Sequence, residues 1–212
     1  MFKYLAVIFS VFLISPAFGT GTLILMRHSE ADSNVRQVYN TNPKNAGYTK
    51  MHLTSRGREQ AHEAGKQLRK DLRTRQVKID LVYHSPLPRA DEAAHIAYEA
   101  IGALPVEFVS SARIIENDMG LFEGRPYSEF PYKHSDLSHN HDENIRGETL
   151  DDVRTRIRDF LGSVVPASRM ANMTLLIVSH GTPCRLMLEA LGLPGRDLGY
   201  AEYVIVQNPE LH

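Results

Sequence analysis

Three apolar runs of the sequence each end in polar residues of the types that bind phosphate. Run 23–26 precedes Arg27 and His28, run 81–83 precedes His84, Ser85 and, one helical turn on, Arg89, and run 175–179 precedes His180. A guanidinium group presents a planar pair of donors that matches two phosphate oxygens. Together these residue types indicate a candidate site for holding a phosphate group.

Alternating strands and helices must position these residues. The patterns predict strands at 22–26, 79–83, 106–109, 174–179 and 203–206, and helices at 55–72, 86–102, 150–164 and 183–191. Strands that are apolar throughout and alternate with helices are typical of a mostly parallel sheet covered on both faces. The predicted fold class is therefore α/β, a three-layer αβα sandwich.

Helix starts are expected directly after two of the polar strand ends. Ser85-Pro86 and Thr182-Pro183 each combine a hydroxyl N-cap with proline at the first helical position. Thr149 and Asp152 are spaced for a capping box at the start of another helix. Because the carboxyl ends of parallel strands share one edge of a sheet, the polar strand ends should converge on one crevice that favours an anion.

Composition limits the classes of partner. The chain has 212 residues, with 24 Lys and Arg against 25 Asp and Glu and a hydrophobic fraction of 42%. This near-neutral charge provides no electrostatic footprint for nucleic acid or for an anionic membrane surface, so neither is expected as a partner. Nothing in the composition indicates an oligomeric state.

The first nineteen residues differ from the rest and are typical of an export signal. Lys3 is followed by an apolar stretch at 5–14, a break at Pro16, and small residues before a cleavage site near Gly19. The interpretation is a signal peptide at 1–19 that is removed by cleavage, followed by a single domain at 20–212 in a secreted or periplasmic protein. An uncleaved N-terminal membrane anchor is the alternative; stable membrane insertion is not expected after cleavage.

Other candidate features have weaker patterns. Cys184 is the only cysteine, so no intrachain disulfide forms, and its apolar neighbours indicate a core position. A loop with His134, His139 and His141 is either a metal site or, as we favour, a solvated loop. The polar insertion 35–52 is either a lid over the site or an ordinary surface loop.

Five segments occur in the order found in one known family. They are "LILMRHSEADSN", "LTSRGREQA", "SPLPRADEAA", "ENDMGLFEG" and "LLIVSHGTPCRL". Over residues 22–207 the chain resembles the histidine phosphatase superfamily, in the branch that contains the cofactor-dependent phosphoglycerate mutases and their phosphatase relatives. The combination of Arg-His after the first strand, Ser-x-Leu-x-Arg-Ala, and Ser-His-Gly after a late strand carries this resemblance.

The resemblance implies a role for each matching residue. His28 would attack phosphorus and become a phosphohistidine, and Glu116 would protonate the leaving oxygen and then activate water. Arg27, Arg89 and His180 would hold the transferring phosphoryl group, and Asn34 matches a further phosphate contact. The implied substrate is a small phosphorylated molecule, and no metal or other cofactor is implied.

Departures from the family pattern favour hydrolysis over mutase activity. Basic residues are missing directly after Glu116, and paired arginines that grip a substrate carboxylate in mutases are missing from 125–144. Ser29 replaces a common glycine, which should alter the fit of the loop, and Ala93 replaces a common threonine at a packing position. The leading hypothesis is a metal-independent phosphomonoesterase. The alternatives are a mutase, a protein phosphohistidine phosphatase, and a weakly catalytic phosphate-ligand binder.

Overall fold

The structure is a computed structural model that describes residues 20–129 and 146–212. Its strands are β1 (Thr22–Arg27), β2 (Leu81–His84), β3 (Glu107–Ser110), β4 (Thr174–Ser179) and β5 (Tyr203–Gln207), and its helices are α1 (Asp32–Arg36), α2 (Ser55–Arg75), α3 (Pro88–Ile101), α4 (Leu150–Ala171) and α5 (Gly181–Ala190). Single 3₁₀ turns lie at Ala112–Ile114, Gly120–Phe122 and Tyr127–Glu129. The predicted strands and long helices are confirmed within a few residues, except that α4 continues seven residues beyond the predicted end at 164, and the short helix α1 is an addition.

One five-stranded sheet, in the order β3-β2-β4-β1-β5, forms the middle layer. Strands β1 to β4 pair in parallel, and β5 runs antiparallel to β1 at the edge. The predicted mostly parallel sheet is therefore confirmed. Because the parallel strands all point the same way, their carboxyl ends lie at one edge, where the polar strand ends were expected to meet.

Alternation along the strands divides the core between the two faces of the sheet. Leu23 and Leu25 pack with residues of α4 and α5, whereas Ile24 and Met26 pack with residues of α2 and α3. Both faces are thus covered by helices, which confirms the three-layer sandwich. Cys184 and Ala93 are completely buried in these two layers, as their apolar neighbours predict.

The helix starts are predicted correctly at α4 and wrongly at α3 and α5. Thr149 and Asp152 form the expected reciprocal capping box. The N-cap of α3 is Leu87 rather than Ser85, because the helix begins at the second proline of the Pro-Leu-Pro sequence. The N-cap of α5 is His180 rather than Thr182. Proline is tolerated at the third position of α5 because the first four N–H groups of a helix have no intrahelical acceptor.

Among residues 20–129 and 146–212, no helix is both long and apolar enough to cross a membrane. The predicted signal peptide at 1–19 and the histidine-rich loop at 134–141 lie outside the described residues.

A close contact between α2 and α3 depends on a glycine. A Cβ atom built on Gly65 would lie 2.2 Å from the backbone oxygen of Ala97 and 2.8 Å from the Cβ of Ala100. A real Cβ cannot approach a backbone atom so closely, so the two helices would have to separate. Gly162, on the exposed side of α4, has nothing within 4 Å of its Cβ position.

Gly65→Ala should therefore lower the free energy of unfolding by about 1–3 kcal/mol, the usual cost of overpacking a core. Gly162→Ala is the matched control, and it should raise the free energy of unfolding by about 0.5–1 kcal/mol because alanine is the better helix former. Urea denaturation of the two variants measures both changes. Equal stability of the two variants would show that α2 and α3 do not pack as closely as described.

Candidate active site

Pairing between β1 and β4 brings two histidines together. Arg27 lies opposite Ser179 in the parallel register, so His28 and His180 are the next residues on neighbouring strands. The backbone N–H of His28 donates to the carbonyl of Ser179 at 2.8 Å, which continues the pairing for one more residue. The centroids of the two imidazole rings are 5.0 Å apart in an edge-to-face arrangement. Two such rings can reach oxygens of the same phosphate group.

Hydrogen bonds show which ring nitrogen of His28 carries the proton and which holds the lone pair. Its Nδ1 lies 2.6 Å from the carbonyl oxygen of Ser29, which can only accept, so Nδ1 carries the proton. Its Nε2 accepts from Nε–H of Arg89 at 3.2 Å and so holds the lone pair. Burial, and then the charges of Arg89 and Arg27, lower the pKa of His28 well below 6.5. The imidazole therefore stays neutral at mildly acidic pH, where an exposed histidine would be protonated.

Ser85 determines how His180 is presented. The hydroxyl of Ser85 accepts from the backbone N–H of Leu87 at 3.3 Å and lies 2.7 Å from Nε2 of His180. A hydroxyl can donate one hydrogen bond and accept two, and we assign the Ser85 proton to the bond with Nε2, which leaves the proton of a neutral His180 on Nδ1. Nδ1 is buried and has no hydrogen-bond partner within the described residues. Burial and the neighbouring Arg89 lower the pKa of His180 well below 6.5, so it presents a neutral N–H donor.

Two arginines complete the phosphate-holding group. Arg89 is 4% exposed and donates through Nη1 to Oδ1 of Asn40 at 3.1 Å. Burial lowers the pKa of Arg89 from its ordinary value, and the nearby carboxylate of Glu116 opposes that shift. Arg27 donates through Nη1 to the carbonyl of Leu198 at 2.6 Å, while its buried Nε has no partner in the parts of the chain described. The remaining donors of both groups are available to an anion.

A cavity of about 500 Å³ opens in front of His28, within the size range of small-molecule sites. Five of the six residues assigned from the resemblance line it, namely Arg27, His28, Asn34, Arg89 and Glu116. The sixth, His180, is completely buried and does not line the cavity itself; it contacts the site from beside the ring of His28. The expected convergence of these residues is thus observed, although their chemical roles stay predictions.

Asn34 and Glu116 are each partly held by local backbone. Oδ1 of Asn34 accepts from the N–H of Ala31 at 3.0 Å in the cap of α1, and its side chain also hydrogen-bonds Tyr127. Oε1 of Glu116 accepts from the N–H of Asn117 at 3.0 Å. Both side chains are half-buried. The glutamate is therefore fixed on the cavity wall with its second oxygen available for proton transfer.

The insertion at 35–52 forms part of the cavity wall. The buried carboxylate of Glu123 accepts from the N–H of Thr41 at 2.8 Å, from its hydroxyl at 2.7 Å, and from the N–H of Asn42 at 3.3 Å. Asp118 accepts from the side-chain amides of Asn42 and Asn45. These bonds tie the insertion to the segment that follows Glu116, so it is anchored against the site and is not an independent surface loop.

Two other sequence features have defined places. Ser29 is fully buried, does not line the cavity and has no positive φ, so the side chain at this usual glycine position causes no backbone strain. His84 also does not line the cavity, and its Nδ1 lies 3.0 Å from the carbonyl of Ser85. In residues 20–129 and 146–212, no three His, Cys, Asp or Glu side chains are grouped as a metal site would require.

Sequence reasoning missed several residues of the site. Tyr127 and Tyr200 line the cavity but lie in a 3₁₀ turn and a loop whose paths no periodic pattern predicts, and Tyr39 and Asn40 were covered only by the prediction that the insertion 35–52 could be a lid. Ser85 was interpreted only as a helix cap. The one sequence feature that could have indicated its contact with His180 is its position directly after β2. The backbone N–H of Ser85 donates to the carbonyl of Val178, two residues before His180, so β2 ends beside the end of β4.

Comparison with known proteins places this geometry in a family. The model of the histidine phosphatase superfamily (branch 1) matches residues 23–209. A 2,3-bisphosphoglycerate-dependent phosphoglycerate mutase of Bartonella tribocorum is 27% identical, over 84% of this chain and 84% of its own. Phosphoserine phosphatase 1 of Hydrogenobacter thermophilus is 31% identical, over 80% and 75%. The alpha-ribazole phosphatase structure from Shigella flexneri shares the fold, with a TM-score of 0.65, 23% identity and coverage of 90% and 95%.

Replacing Ser85 should alter His180 without disturbing the rest of the site. In Ser85→Ala, the imidazole of His180 loses the hydrogen bond that fixes its tautomer. We therefore expect the affinity for inorganic phosphate to fall about 10-fold, which corresponds to the loss of one hydrogen bond worth about 1.4 kcal/mol. Calorimetric titration with phosphate measures the affinity. ¹⁵N imidazole shifts should report a mixture of tautomers for His180 in the variant and the Nδ1–H form in the parent.

Ser168→Ala is the matched control for that substitution. Ser168 is also completely buried and donates one hydrogen bond, to the carbonyl of Val165 at 2.9 Å. The Ser168→Ala variant should lose a similar amount of free energy of unfolding and should keep the phosphate affinity of the parent. Unchanged imidazole shifts and unchanged affinity in Ser85→Ala would contradict the role assigned to the serine.

Proposed function

The chain belongs to the histidine phosphatase superfamily, branch 1, and we propose that it is a phosphomonoesterase that works through a phosphohistidine on His28. Its relatives include both mutases and phosphatases, so a phosphoryl-transfer enzyme is the common ground. The observation that carries the proposal is the lone pair on Nε2 of His28, held next to the cavity between Arg27 and Arg89.

In the first step the phosphoryl group of the substrate lies between the two guanidinium groups. Nε2 of His28 attacks phosphorus, so that a P–N bond forms as the P–O bond to the leaving group breaks. Before this attack Arg89 turns its Nε–H from Nε2 to a phosphoryl oxygen, which frees the lone pair of Nε2, and Nδ1–H of His180 donates to another phosphoryl oxygen. Phosphoryl transfer depends mainly on positioning and on stabilising the developing charge, to which one arginine can contribute about 10³–10⁵ in rate.

Glu116 moves the proton in both steps. As the P–O bond breaks, the protonated carboxyl gives its proton to the leaving oxygen and becomes a carboxylate. A water molecule then attacks the phosphohistidine, and the carboxylate takes a proton from it as the new P–O bond forms. The electron pair of the P–N bond returns to Nε2, and phosphate leaves. The enzyme is restored to its starting protonation state.

Hydrolysis is favoured over mutase action by the residues that follow Glu116. They are Asn117, Asp118, Met119 and Gly120, which carry no positive charge, and Asp118 is bound to the insertion through Asn42 and Asn45. A mutase must retain its phosphorylated product until it returns the phosphoryl group, and this wall offers no cation for that purpose. Water can reach the phosphoenzyme once the dephosphorylated product leaves.

The proposal includes a mechanism that needs no metal ion. The phosphate-holding side chains are the cations Arg27 and Arg89 and the imidazoles of His28 and His180. These groups already provide the positive charge that a metal would bring, and they repel a further cation.

Turnover of p-nitrophenyl phosphate in the presence of EDTA should be abolished in His28→Ala, with a loss of at least about 10³-fold, because the nucleophile is gone. Brief incubation of the parent enzyme with ³²P-labelled ester and an acid-free quench should trap acid-labile phosphate on His28. Mass spectrometry of the digested protein identifies the labelled residue.

Exposed His62 provides the control, since His62→Ala removes an imidazole outside the cavity and should keep full activity. Phosphate binding without turnover would identify a weakly catalytic binder. Transfer to an added phosphoglycerate in preference to water would identify a mutase. Loss of turnover in EDTA that added metal restores would contradict the metal-free mechanism.

We also propose that the protein is exported and cleaved near Gly19, on the basis of the apolar stretch at 5–14 and the small residues before the cut. The mature protein should then begin at Thr20 and be found in the periplasmic or extracellular fraction. Intact-mass measurement of the fractionated protein distinguishes this from an uncleaved anchor, which would leave the full chain in the membrane fraction.

A further inference from the structure

Arg156, on helix α4, directs its N–H groups at the short segment around Glu116 and at one acid. Its Nη1 donates to the carbonyls of Arg113 at 2.9 Å and Ile115 at 2.8 Å, and its Nη2 donates to the carbonyl of Glu116 at 3.1 Å. Its Nε and Nη2 donate to the two carboxylate oxygens of Glu148, both at 2.8 Å. A guanidinium group has five N–H donors in a rigid plane, so every donor of Arg156 is engaged.

The carboxylate of Glu148 extends this contact to the other side of Glu116. Its Oε2 accepts from the backbone N–H of Asp118 at 3.0 Å, and the backbone N–H of Glu148 donates to the carbonyl of Asp118 at 2.9 Å. The two side chains of the Arg156–Glu148 pair are only 16% and 25% exposed. Two parallel charge-assisted hydrogen bonds join them with a fixed geometry, so the pair holds the backbone both before and after Glu116.

The segment that the pair holds has no regular structure of its own. Residues 116–119 lie between two 3₁₀ turns, in neither a helix nor a strand. Backbone polar groups outside such elements need other partners where water is excluded, and side chains can supply them. A Cβ atom built on Gly147 would lie 2.5 Å from the carbonyl oxygen of Asp118, so the residues that lead into α4 lie directly against this segment. The path of the segment is therefore set by α4 and its approach.

Arg156 and Glu148 lie outside the cavity, which Glu116 and Asn117 line. The backbone of Glu116 is held by Arg156, and its Oε1 accepts from the N–H of Asn117 at 3.0 Å. Little freedom is left for the second carboxylate oxygen, which is the one available for proton transfer. A displacement of the segment would consequently be passed on to that oxygen.

We propose that the Arg156–Glu148 pair positions Glu116 for proton transfer to the leaving oxygen. This inference rests on the proposed phosphomonoesterase function and adds two positioning residues to it. As the P–O bond breaks, its electron pair goes to the leaving oxygen, and the proton of the Glu116 carboxyl must reach that oxygen in the same step. A misplacement of about 1 Å can cost about 100-fold in rate, so the rate depends on how firmly this backbone is held.

The test compares two aryl esters whose leaving groups differ in their need for a proton. The p-nitrophenolate ion is stable and leaves without help, whereas phenolate leaves far more readily when it is protonated. Arg156→Gln should lower kcat/KM for phenyl phosphate by about 10- to 100-fold and for p-nitrophenyl phosphate by less than about threefold. Because kcat/KM covers only the steps up to P–O cleavage, the later attack of water on the phosphoenzyme does not affect the comparison.

Arg154→Gln is the matched control. Arg154 is on the same helix, pairs with Asp151, lies 4.0 Å from a carboxylate oxygen of Glu189 and does not line the cavity. The substitution makes the same change in net charge and should keep the parent's ratio of kcat/KM between the two esters. Gly65→Ala controls for lower stability, because any fall in its activity should be equal for both esters. A selective fall in Arg154→Gln as large as in Arg156→Gln would show a general charge effect and contradict the role of the pair.

Two further variants keep the inference testable if Arg156→Gln does not fold. Arg156→Lys keeps the positive charge, which contributes, after burial and Arg89, to the lowered pKa of His180. An ammonium group has three donors and no planar fork, so this variant should show a smaller fall, about 3- to 10-fold, that is still confined to phenyl phosphate. Glu148→Gln places an amide N–H₂ group against donors of Arg156 or Asp118 and should cause a fall of the same kind.

The outcomes separate this inference from the function on which it rests. An equal fall for both esters in Arg156→Gln, or no fall, overturns the positioning role and leaves a phosphatase that works through His28. A ratio like that of the parent in both Arg156→Lys and Glu148→Gln overturns it too. If Glu116→Gln itself lowers both esters equally, Glu116 is not the acid, and the inference fails with that assignment. Absence of turnover on both esters removes the proposed function itself.

Discussion

The parallel pairing of β1 with β4 is the constraint on which the site depends. With Arg27 opposite Ser179, the next residue on each strand is a histidine, and the two rings meet at the edge of the sheet. A shift of one residue in this register would move every side chain of β1 to the other face and separate Leu23 and Leu25 from α4 and α5. The hydrophobic core therefore fixes the distance between the two imidazole rings.

Burial gives these histidines their chemical state. Two imidazoles are enclosed beside two guanidinium groups, so protonation of either ring would place a third positive charge in a site with little solvent. Both rings are therefore kept neutral, one with a lone pair on Nε2 and the other with a proton on Nδ1. A phosphate dianion supplies the charge that balances the arginines. The site is thus electrostatically suited to an anion, and the neutral ring of His28 needs no deprotonation to act as the proposed nucleophile.

The sequence predicts well the part of the site formed by the strand ends, and predicts poorly the cavity walls formed by the connecting segments. The positions of Arg27, His28 and His180 can be predicted because each follows an apolar strand. Parallel pairing brings the carboxyl ends of these strands together, independently of the conformation of the loops. The walls depend on contacts between distant parts of the chain, such as the bond from Thr41 to Glu123, 82 residues away, which no local pattern encodes.

Helix caps illustrate the same limit. A serine before proline has the sequence signature of an N-cap, but the hydroxyl of Ser85 faces His180 on the neighbouring strand, and α3 begins later. Local propensity identified a turn at this point and could not identify the competing partner. Arg185 had no role in the sequence analysis, and it lines the cavity because of the way α5 packs against the sheet.

The antiparallel direction of β5 has a practical consequence. Thr22 pairs with Gln207, and the N–H of Asn208 donates to the carbonyl of Gly21 at 2.8 Å, so the start of β1 and the end of β5 lie side by side. Both are at the edge of the sheet opposite the histidines. A purification tag, a fusion partner or a solid support attached at either end would consequently leave the entrance of the cavity unobstructed.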